Sequence, residues 1–581
     1  MSRNERRRQA KASKGGSKAS KAVRQGFRGE QLAADGNIDE AITVFQRAVQ
    51  LDENYADGHY NLAVLLRQQG QFEAAVQSYI NTITAQPEYV QAHFNLANLL
   101  KDINYAEEAL VSYQNAISLK PDFVEAHNNL GLCLQSLHRF EEAYECYEKT
   151  LRFDANNAPA HNNMGNVLQD LNRNDEALAC YEAAIALKPG FFEAHNNFGK
   201  ALQELGRMDE AVACHKKALA LSPNFAAAHN NLGVAYKDDG RLADAIKSFR
   251  QAISLNSDFA EAHTNLAIVL FQIGDIQNGW AHYKWRWASQ THKSTARNFT
   301  QPPWDGSPLT GKNILLWAEQ GIGDEIRFAS MINDLIDVGA NVTVECTERL
   351  VSLYERSFVG CEVVAAPFEA AESGARDFDY QCAFGDLGGF VRPNLAAFQN
   401  HSKGYLVPDP DLKLKWQKRL NKISDRPKIG MIWRGQVANL EHSKFYASIK
   451  ELEPILALPD VDFVNLMYAE CNIERQQSLK LYGAEIHTWD DLDLKNDVEG
   501  VAALISNLDL VVCCLSMPGE LAGAMGVATN CFVAEQSHFV MLGQKEGAWY
   551  SDIQYTTKAL NDPWGELFKD MVPLIQQRLD L

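Results

Sequence analysis

Small, apolar and turn-forming residues recur along the first half of the chain with a period of 34 residues. Turn positions fall at Glu53, Pro87, Pro121, Ala155, Pro189, Pro223 and Ser257. Against that ruler a small residue (Ala63, Ala97, Gly131, Gly165, Gly199, Gly233, Ala267) falls on the first helix of a predicted pair. An alanine (Ala41, Ala75, Ala109, Ala143, Ala177, Ala211, Ala245) falls on the second helix. An aromatic usually follows four residues later (Phe45, Tyr79, Tyr113, Tyr147, Tyr181, Phe249), with His215 as the exception. The small residues let antiparallel helices approach, the aromatic fills the gap, and stacking buries what one pair would expose. Pairs are expected to begin near residues 22, 56, 90, 124, 158, 192 and 226. A last pair starts near 260 and ends in the Trp-rich segment Gly279–Trp287, which reads as a cap against the next domain.

The ruler stops at Pro302, Pro303 and Pro308, and the pattern changes. Short apolar runs (Ile314–Trp317, Val342–Cys346, Val363–Ala365) alternate with helical stretches. The scheme restarts at Lys428–Trp433, Asp462–Met467, Ala484–His487, Leu508–Cys514 and Asn530–Val533. Alternating strand and helix predicts parallel α/β structure, here as two Rossmann-like lobes around a cleft. The expected organisation is a basic disordered tail (1–21), a helical-repeat array (22–290), a linker (291–312), a first lobe (313–405) and a second lobe with a candidate ligand site (406–581).

Two polar series ride on the first helices. The asparagines Asn61, Asn95, Asn129, Asn163, Asn197, Asn231 and Asn265 share one repeat position, and four repeats add a second at Asn128, Asn162, Asn196 and Asn230. A side-chain amide pairs with a peptide N–H and C=O at once. A strand advances ~3.3 Å per residue and helices pack ~9 Å apart, so each amide meets about every third residue of an extended polypeptide. The alternative is that these amides cap or bridge helices locally. The histidines His59, His93, His127, His161, His195, His229 and His263 form the other series. Helices ~8–10 Å apart do not bring them to the ~2 Å that zinc needs, so they are expected to pack, each with one ring nitrogen satisfied.

Composition narrows the choices. Of 581 residues, 46% are hydrophobic and 22% charged, as in globular proteins, and the length calls for two or three domains. The first 24 residues hold nine Lys or Arg and one Glu, so the remainder is more acidic than the net −19 of the whole chain. That balance argues against nucleic acid as the main partner. No apolar run reaches the ~18 residues of a membrane span and no signal-peptide pattern opens the chain, so a cytoplasmic location is expected. The eleven cysteines contain no CxxC pair and read as buried thiols in a reducing compartment. Several DxD triplets (Asp377/Asp379, Asp409/Asp411, Asp460/Asp462, Asp491/Asp493) read as solvated loop carboxylates rather than a metal site.

Candidate chemistry lies in the second half. In LLWAEQGIGDEIRFASMI, Gly321 and Gly323 are expected to permit a tight turn and Asp324 to open a helix. In NLDLVVCCLSMPGELAGAMG, Ser516 is expected to cap a helix with Pro518 in its first turn, giving an N-terminus that favours phosphate. Between them, Arg434, His442 and Lys444 are candidate cationic partners for a donor phosphate.

The repeat pattern resembles the tetratricopeptide repeat (TPR), and EAHNNLG with its asparagine series looks like the TPR half of protein O-GlcNAc transferases over about residues 22–290. That implies a right-handed superhelix binding an acceptor protein through the asparagines. The GIGD corner, the WRG…HSK loop and the DLVV…ELAGAMG segment resemble GT-B glycosyltransferases of the heptosyltransferase-like kind over about 310–580. The resemblance implies Asp324 as base and Lys444 as a donor-phosphate contact, with no metal or cofactor beyond a nucleotide-sugar substrate. The chain departs from that family at Leu515 and Ser516, where Asp-Thr is usual, and at Glu520, where His is usual. The overall architecture is similar to bacterial flagellin glycosyltransferases, which implies flagellin as acceptor and a CMP-activated nonulosonic sugar such as pseudaminic acid as donor. Two rival readings remain: a non-catalytic TPR scaffold with a degenerate transferase domain, and a transferase acting on a glycan or lipopolysaccharide.

Overall fold

A computed structural model describes residues 17–289, 297, 299–319, 321–367, 377–401, 403–435, 446–534, 540–559 and 562–581. The chain divides into two compact units, 1–224 and 225–581.

The first unit contains six antiparallel helical pairs among its described residues, from Lys18–Ala34 with Ile38–Leu51 to Phe192–Glu204 with Met208–Leu221. After the first pair, each has a 13-residue helix followed by one of 14 residues. The expected close approach is present: a Cβ added to Gly131 or Gly165 would meet the ring of Tyr147 or Tyr181 at 2.7 Å. Apolar clusters run from pair to pair, for example Phe45, Leu62, Tyr79 and Leu96. One periodic feature escaped the sequence reading. The residue that ends each first helix adopts left-handed backbone, at Gly36, Gly70, Asn104, His138, Asn172 and Gly206 in this unit. Glycine does this freely; Asn tolerates it, and His pays a steric cost.

The second unit begins with two further pairs, Ala226–Asp238 with Leu242–Leu255 and Ala260–Gln272 with Ile276–Tyr283, here called the cap helix. Two sheets follow. The first is β3-β2-β1-β4, from β1 (Asn313–Trp317), β2 (Asn341–Cys346), β3 (Glu362–Ala365) and β4 (Tyr380–Ala383). The second is β10-β9-β8-β5-β6-β7, from β5 (Lys428–Ile432), β6 (Asp462–Asn465), β7 (Ile486–His487), β8 (Leu510–Cys513), β9 (Thr529–Ala534) and β10 (Ile553–Lys558). Every strand pairing is parallel. The fold is thus helical repeats followed by α/β structure. In each sheet the order reverses once, between β1 and β4 and between β5 and β8, and ligands of such sheets bind beyond the strand ends at those points.

Three boundaries differ from the sequence reading. The first helix starts at Lys18, inside the expected tail, because the Ser17 hydroxyl accepts a bond from the Ser20 N–H at 3.3 Å and caps it. The last helical pair shares its core with the sheets, since one apolar core runs from Ala267 and Phe271 through Trp280 to both sheets, and the pair before it falls in the same compact unit. Strands β4 and β10 were not anticipated. Tyr380–Ala383 is only four residues long, and Ile553–Lys558 carries half-buried polar residues among its buried ones. Neither gives a strong apolar run.

His138→Gly removes a left-handed β-carbon at an exposed turn and should raise stability by about 0.5–1 kcal/mol. Urea unfolding monitored by circular dichroism measures it, and an unchanged or lower midpoint would refute the strain argument.

Candidate active site and helical groove

Strand β1 leads into the helix Ile322–Ala329, and β8 leads into the helix Met517–Ala524. Their first turns line a cleft of about 400 Å³ with Gly321, Gly323, Asp324, Arg327, Ser516 and Glu520 among its walls. Asp324 sits in the first turn of its helix, and its side chain is 35% exposed. One Asp324 oxygen accepts from Arg327 at 2.7 Å. Arg327 also donates to Glu520 across the cleft at 2.5 Å. The other Glu520 oxygen accepts from the Tyr550 hydroxyl at 2.8 Å. Burial alone would lower the Arg327 pKa, but Glu520 and Asp324 hold it above the ordinary arginine value. Arg327 therefore stays charged and orients the Asp324 carboxylate. Sequence reading missed this residue, although its position one helical turn after Asp324 was a usable signal.

The remaining candidates are placed as follows. Gly321 has φ −65° at the N-cap and Gly323 is helical, so the corner from β1 into the helix is turned without left-handed backbone at either. A methyl group on Gly323 would sit 3.7 Å from Glu520, an ordinary contact. Both leave bare backbone on the cleft wall. Ser516 occupies the N-cap position with Pro518 just inside, but its hydroxyl donates to the Cys514 carbonyl at 3.0 Å instead of capping. Its extended backbone, φ −164° and ψ 158°, carries the side chain back toward the strand. Arg434 is held by Glu474 at 2.8 Å and the Glu470 carbonyl at 2.6 Å, so much of its charge is neutralised within the protein. His442 and Lys444 lie outside the described residues. Glu520 is paired on both oxygens, which removes the isolated charge that its position in the sequence implies.

Beside Asp324, the Glu325 carboxylate is buried and accepts from the Thr347 N–H at 2.9 Å and hydroxyl at 2.6 Å. Burial pushes its pKa up to about 7 against those bonds.

A second cavity, of about 710 Å³, lies at the carboxyl ends of β1 and β4. Its walls include Trp280, Tyr283, Trp287, Trp304, Trp317 and Phe390. Here Arg286, fully buried, donates to both oxygens of Glu319 at 2.8 and 3.0 Å and to Asp386 at 2.6 Å. Glu319 also accepts from the Gly385 N–H at 2.7 Å. The Trp-rich segment was expected to cap the repeats; that it builds a cavity was not legible, because the partner aromatics come from distant segments.

All seven ladder asparagines (Asn61, Asn95, Asn129, Asn163, Asn197, Asn231, Asn265) are half-buried. Asn95, Asn129, Asn163, Asn197 and Asn265 make inter-repeat bonds of the kind the local-bridging alternative calls for. Asn163, Asn197 and Asn265 donate to the second asparagine of the preceding repeat, Asn128, Asn162 and Asn230, at 3.3, 3.1 and 3.1 Å. Where Phe94 stands in that place, Asn129 turns to Asn98 at 2.9 Å, and Asn95 donates to Tyr60 at 2.8 Å. Six of the histidines place Nε2 2.8–3.1 Å from the backbone carbonyl six residues earlier, which is the satisfied packing role expected of them. The Cys146, Cys180 and Cys214 thiols are pushed up to about 11 by burial, though Cys180 and Cys214 are only half-buried.

The helical pairs are tetratricopeptide repeats: models of the TPR repeat match residues 29–66, 104–138, 165–206, 203–240 and 235–274, and tetratricopeptide repeat models match 60–102 and 124–157. Over 300 residues the chain is 32% identical to Protein FlbA of Caulobacter vibrioides (strain ATCC 19089 / CIP 103742 / CB 15), covering 49% of this chain and 50% of that protein. The chain thus spans about half the length of the curated relative it matches. Among solved structures, it resembles MamA (27% identity, 28% of this chain and 95% of that one, TM-score 0.27). It also resembles YrrB, a TPR protein with an unusual peptide-binding site (28% identity, 32% and 96%, TM-score 0.27). Among the described residues no helix is long and apolar enough to cross a membrane.

Glu325 makes stability depend on pH. Its folded pKa of about 7 lies above the ordinary glutamate value of 4.5. Its contribution is therefore complete below about pH 4.5 and lost as pH rises through about 7, a change of about 3 kcal/mol. Glu325→Gln keeps an acceptor for Thr347 and should flatten that slope in denaturant unfolding between pH 5 and about 8; an unaltered slope would assign it to another group.

Proposed function

We propose that this chain is a protein O-glycosyltransferase, its repeats carrying an acceptor polypeptide and its two-sheet region transferring a sugar from a nucleotide donor. The observation that carries the reading is Asp324: a partly exposed carboxylate in the first turn of a helix, at the mouth of a cleft between two parallel sheets, oriented by Arg327. A carboxylate near a helix N-terminus is favoured as the anion, the state a base needs to take a proton from a Ser or Thr hydroxyl. The deprotonated oxygen attacks the anomeric carbon as the bond to the leaving phosphate breaks. The start of Met517–Ala524 faces the same cleft and favours the developing phosphate charge. Flagellin as acceptor and a CMP-nonulosonate such as pseudaminic acid as donor follow from the resemblance to flagellin glycosyltransferases. The same resemblance implies that this chemistry needs no metal or cofactor beyond the nucleotide-sugar substrate.

One observation favours the scaffold reading. The described cleft holds two carboxylates against one guanidinium, and Arg434 is tied to Glu474. An anionic donor then depends on helix and backbone dipoles for its reception.

Co-expression with flagellin and a nonulosonate pathway, read by intact mass, tests the enzyme. The acceptor should gain sugar mass with the natural chain, and Asp324→Asn should lower the modified fraction at least ~100-fold. An unmodified acceptor with the natural chain supports the scaffold.

The groove is tested separately. Asn129, Asn163, Asn197 and Asn231 changed together to Ala should lower acceptor capture at least ~10-fold, and the lost inter-repeat bonds should cost about 1 kcal/mol each. Circular dichroism checks that the helices persist. Undiminished capture would leave the asparagines as structural bridges alone.

A further inference from the structure

The aromatic cavity at the carboxyl ends of β1 and β4 has no part in the transfer chemistry, yet it is larger than the cleft that does. We propose that it holds a bulky apolar side chain of the acceptor polypeptide, a docking subsite beside the reaction; the identity of the occupant rests on the acceptor-binding reading above.

The polar capacity of its walls selects the occupant. The Trp280 indole donates to the Arg392 carbonyl at 3.0 Å and Trp287 to Asp386 at 3.0 Å. Trp304 donates to the Ser307 carbonyl at 2.9 Å and Trp317 to Gln381 at 2.7 Å. An indole has one donor, so all four are engaged by the protein. A sugar brings several hydroxyls that each need a partner on burial, and these rings offer it faces but no donors. Charge is balanced as well. Arg286 is paired with Glu319 and Asp386, and Arg297 with Glu345, leaving Lys284 at the exposed mouth to match the odd carboxylate. Neither an anion nor a cation is selected. What the walls offer is apolar surface whose rings are locked at their edges, which lowers the ordering cost of binding. The volume, about 710 Å³, is within the ~300–1,000 Å³ of ligand pockets.

Connectivity points to the polypeptide as the source of that apolar group. The helical pair that supplies Trp280 and Ala281 also carries Asn265, the last ladder amide. Trp317 ends the strand whose following helix carries Asp324. The cavity thus shares one element with the groove and one with the base.

The test uses the full chain and needs no transfer activity. The probes are N-acetyl-phenylalaninamide and N-acetyl-leucinamide, with methyl glucoside as the sugar control, read by saturation-transfer NMR. Ala281 and Phe390 are exposed at the mouth, so Ala281→Trp and Phe390→Ala alter it with little risk to folding. The proposal expects saturable binding of both amides, at least tenfold tighter than the glucoside and at least tenfold weaker in Ala281→Trp. Binding that ignores both variants, or that prefers the glucoside, overturns it. Asp324→Asn should bind the amides as the natural chain does, and a natural chain that binds them yet transfers no sugar would count against the enzyme reading and not against the cavity. Acceptor capture completes the test: at least a tenfold loss in Ala281→Trp supports the docking role, and full capture with the cavity blocked overturns it.

Discussion

A guanidinium with no exposed surface must be paired where it stands, and Arg286 is that constraint in this protein. It comes from the turn after the cap helix and is gripped by Glu319 after β1 and by Asp386 from the helix Phe384–Val391. Removing one partner of such a buried pair costs about 3–5 kcal/mol. The pairing makes the end of the repeat array part of the first sheet's core. It also anchors the corner between β1 and Asp324, since Glu319 lies on that corner and is held from both sides. Repeat end, aromatic cavity and candidate base are therefore positioned by one charge.

Arg327 repeats the arrangement across the cleft. It too lies between two carboxylates, one on each side, and it joins the helix after β1 to the helix after β8. Glu520, singled out in the sequence as an acid where a histidine was expected, has a physical explanation in that pair. It is the counter-charge of a buried arginine and accepts a further bond from Tyr550. Its carboxylate is directed at Arg327 and Tyr550 rather than left as an unpaired anion. Among the described residues of the cleft, two carboxylates face one guanidinium, beside the start of Met517–Ala524 and the bare backbone at Gly321 and Gly323.

The repeats were legible in the sequence because a 34-residue period multiplies every weak preference by the number of its copies. Gly131 and Tyr147 say little alone, but with Gly165 and Tyr181 they define a contact. The strong apolar strands were legible for a related reason, since strands buried on both faces read as continuous runs. Strands β4 and β10 lack that run, and the left-handed turn position was hidden because Asn104, His138 and Asn172 break the glycine series. Of the site, Asp324 and its helix were readable as a local motif. The Arg327–Glu520 bond joins residues 193 apart in the chain, and the Arg286 pairings join residues 33 and 100 apart, so no local pattern announces them.

The bonds between repeats leave part of the hydrogen-bonding capacity of the asparagine series unused. An amide offers two donor hydrogens and two acceptor lone pairs. Asn163 uses one donor on Asn128 and one lone pair on the Asn162 amide, at 3.3 and 3.4 Å. One donor and one lone pair remain, which is what a single peptide unit requires. The bonds between repeats also fix the rotamer of each amide before any polypeptide arrives, so the entropy of ordering the side chain is lost on folding rather than on binding. Local bridging and the ladder put forward under the proposed function are therefore compatible in one side chain.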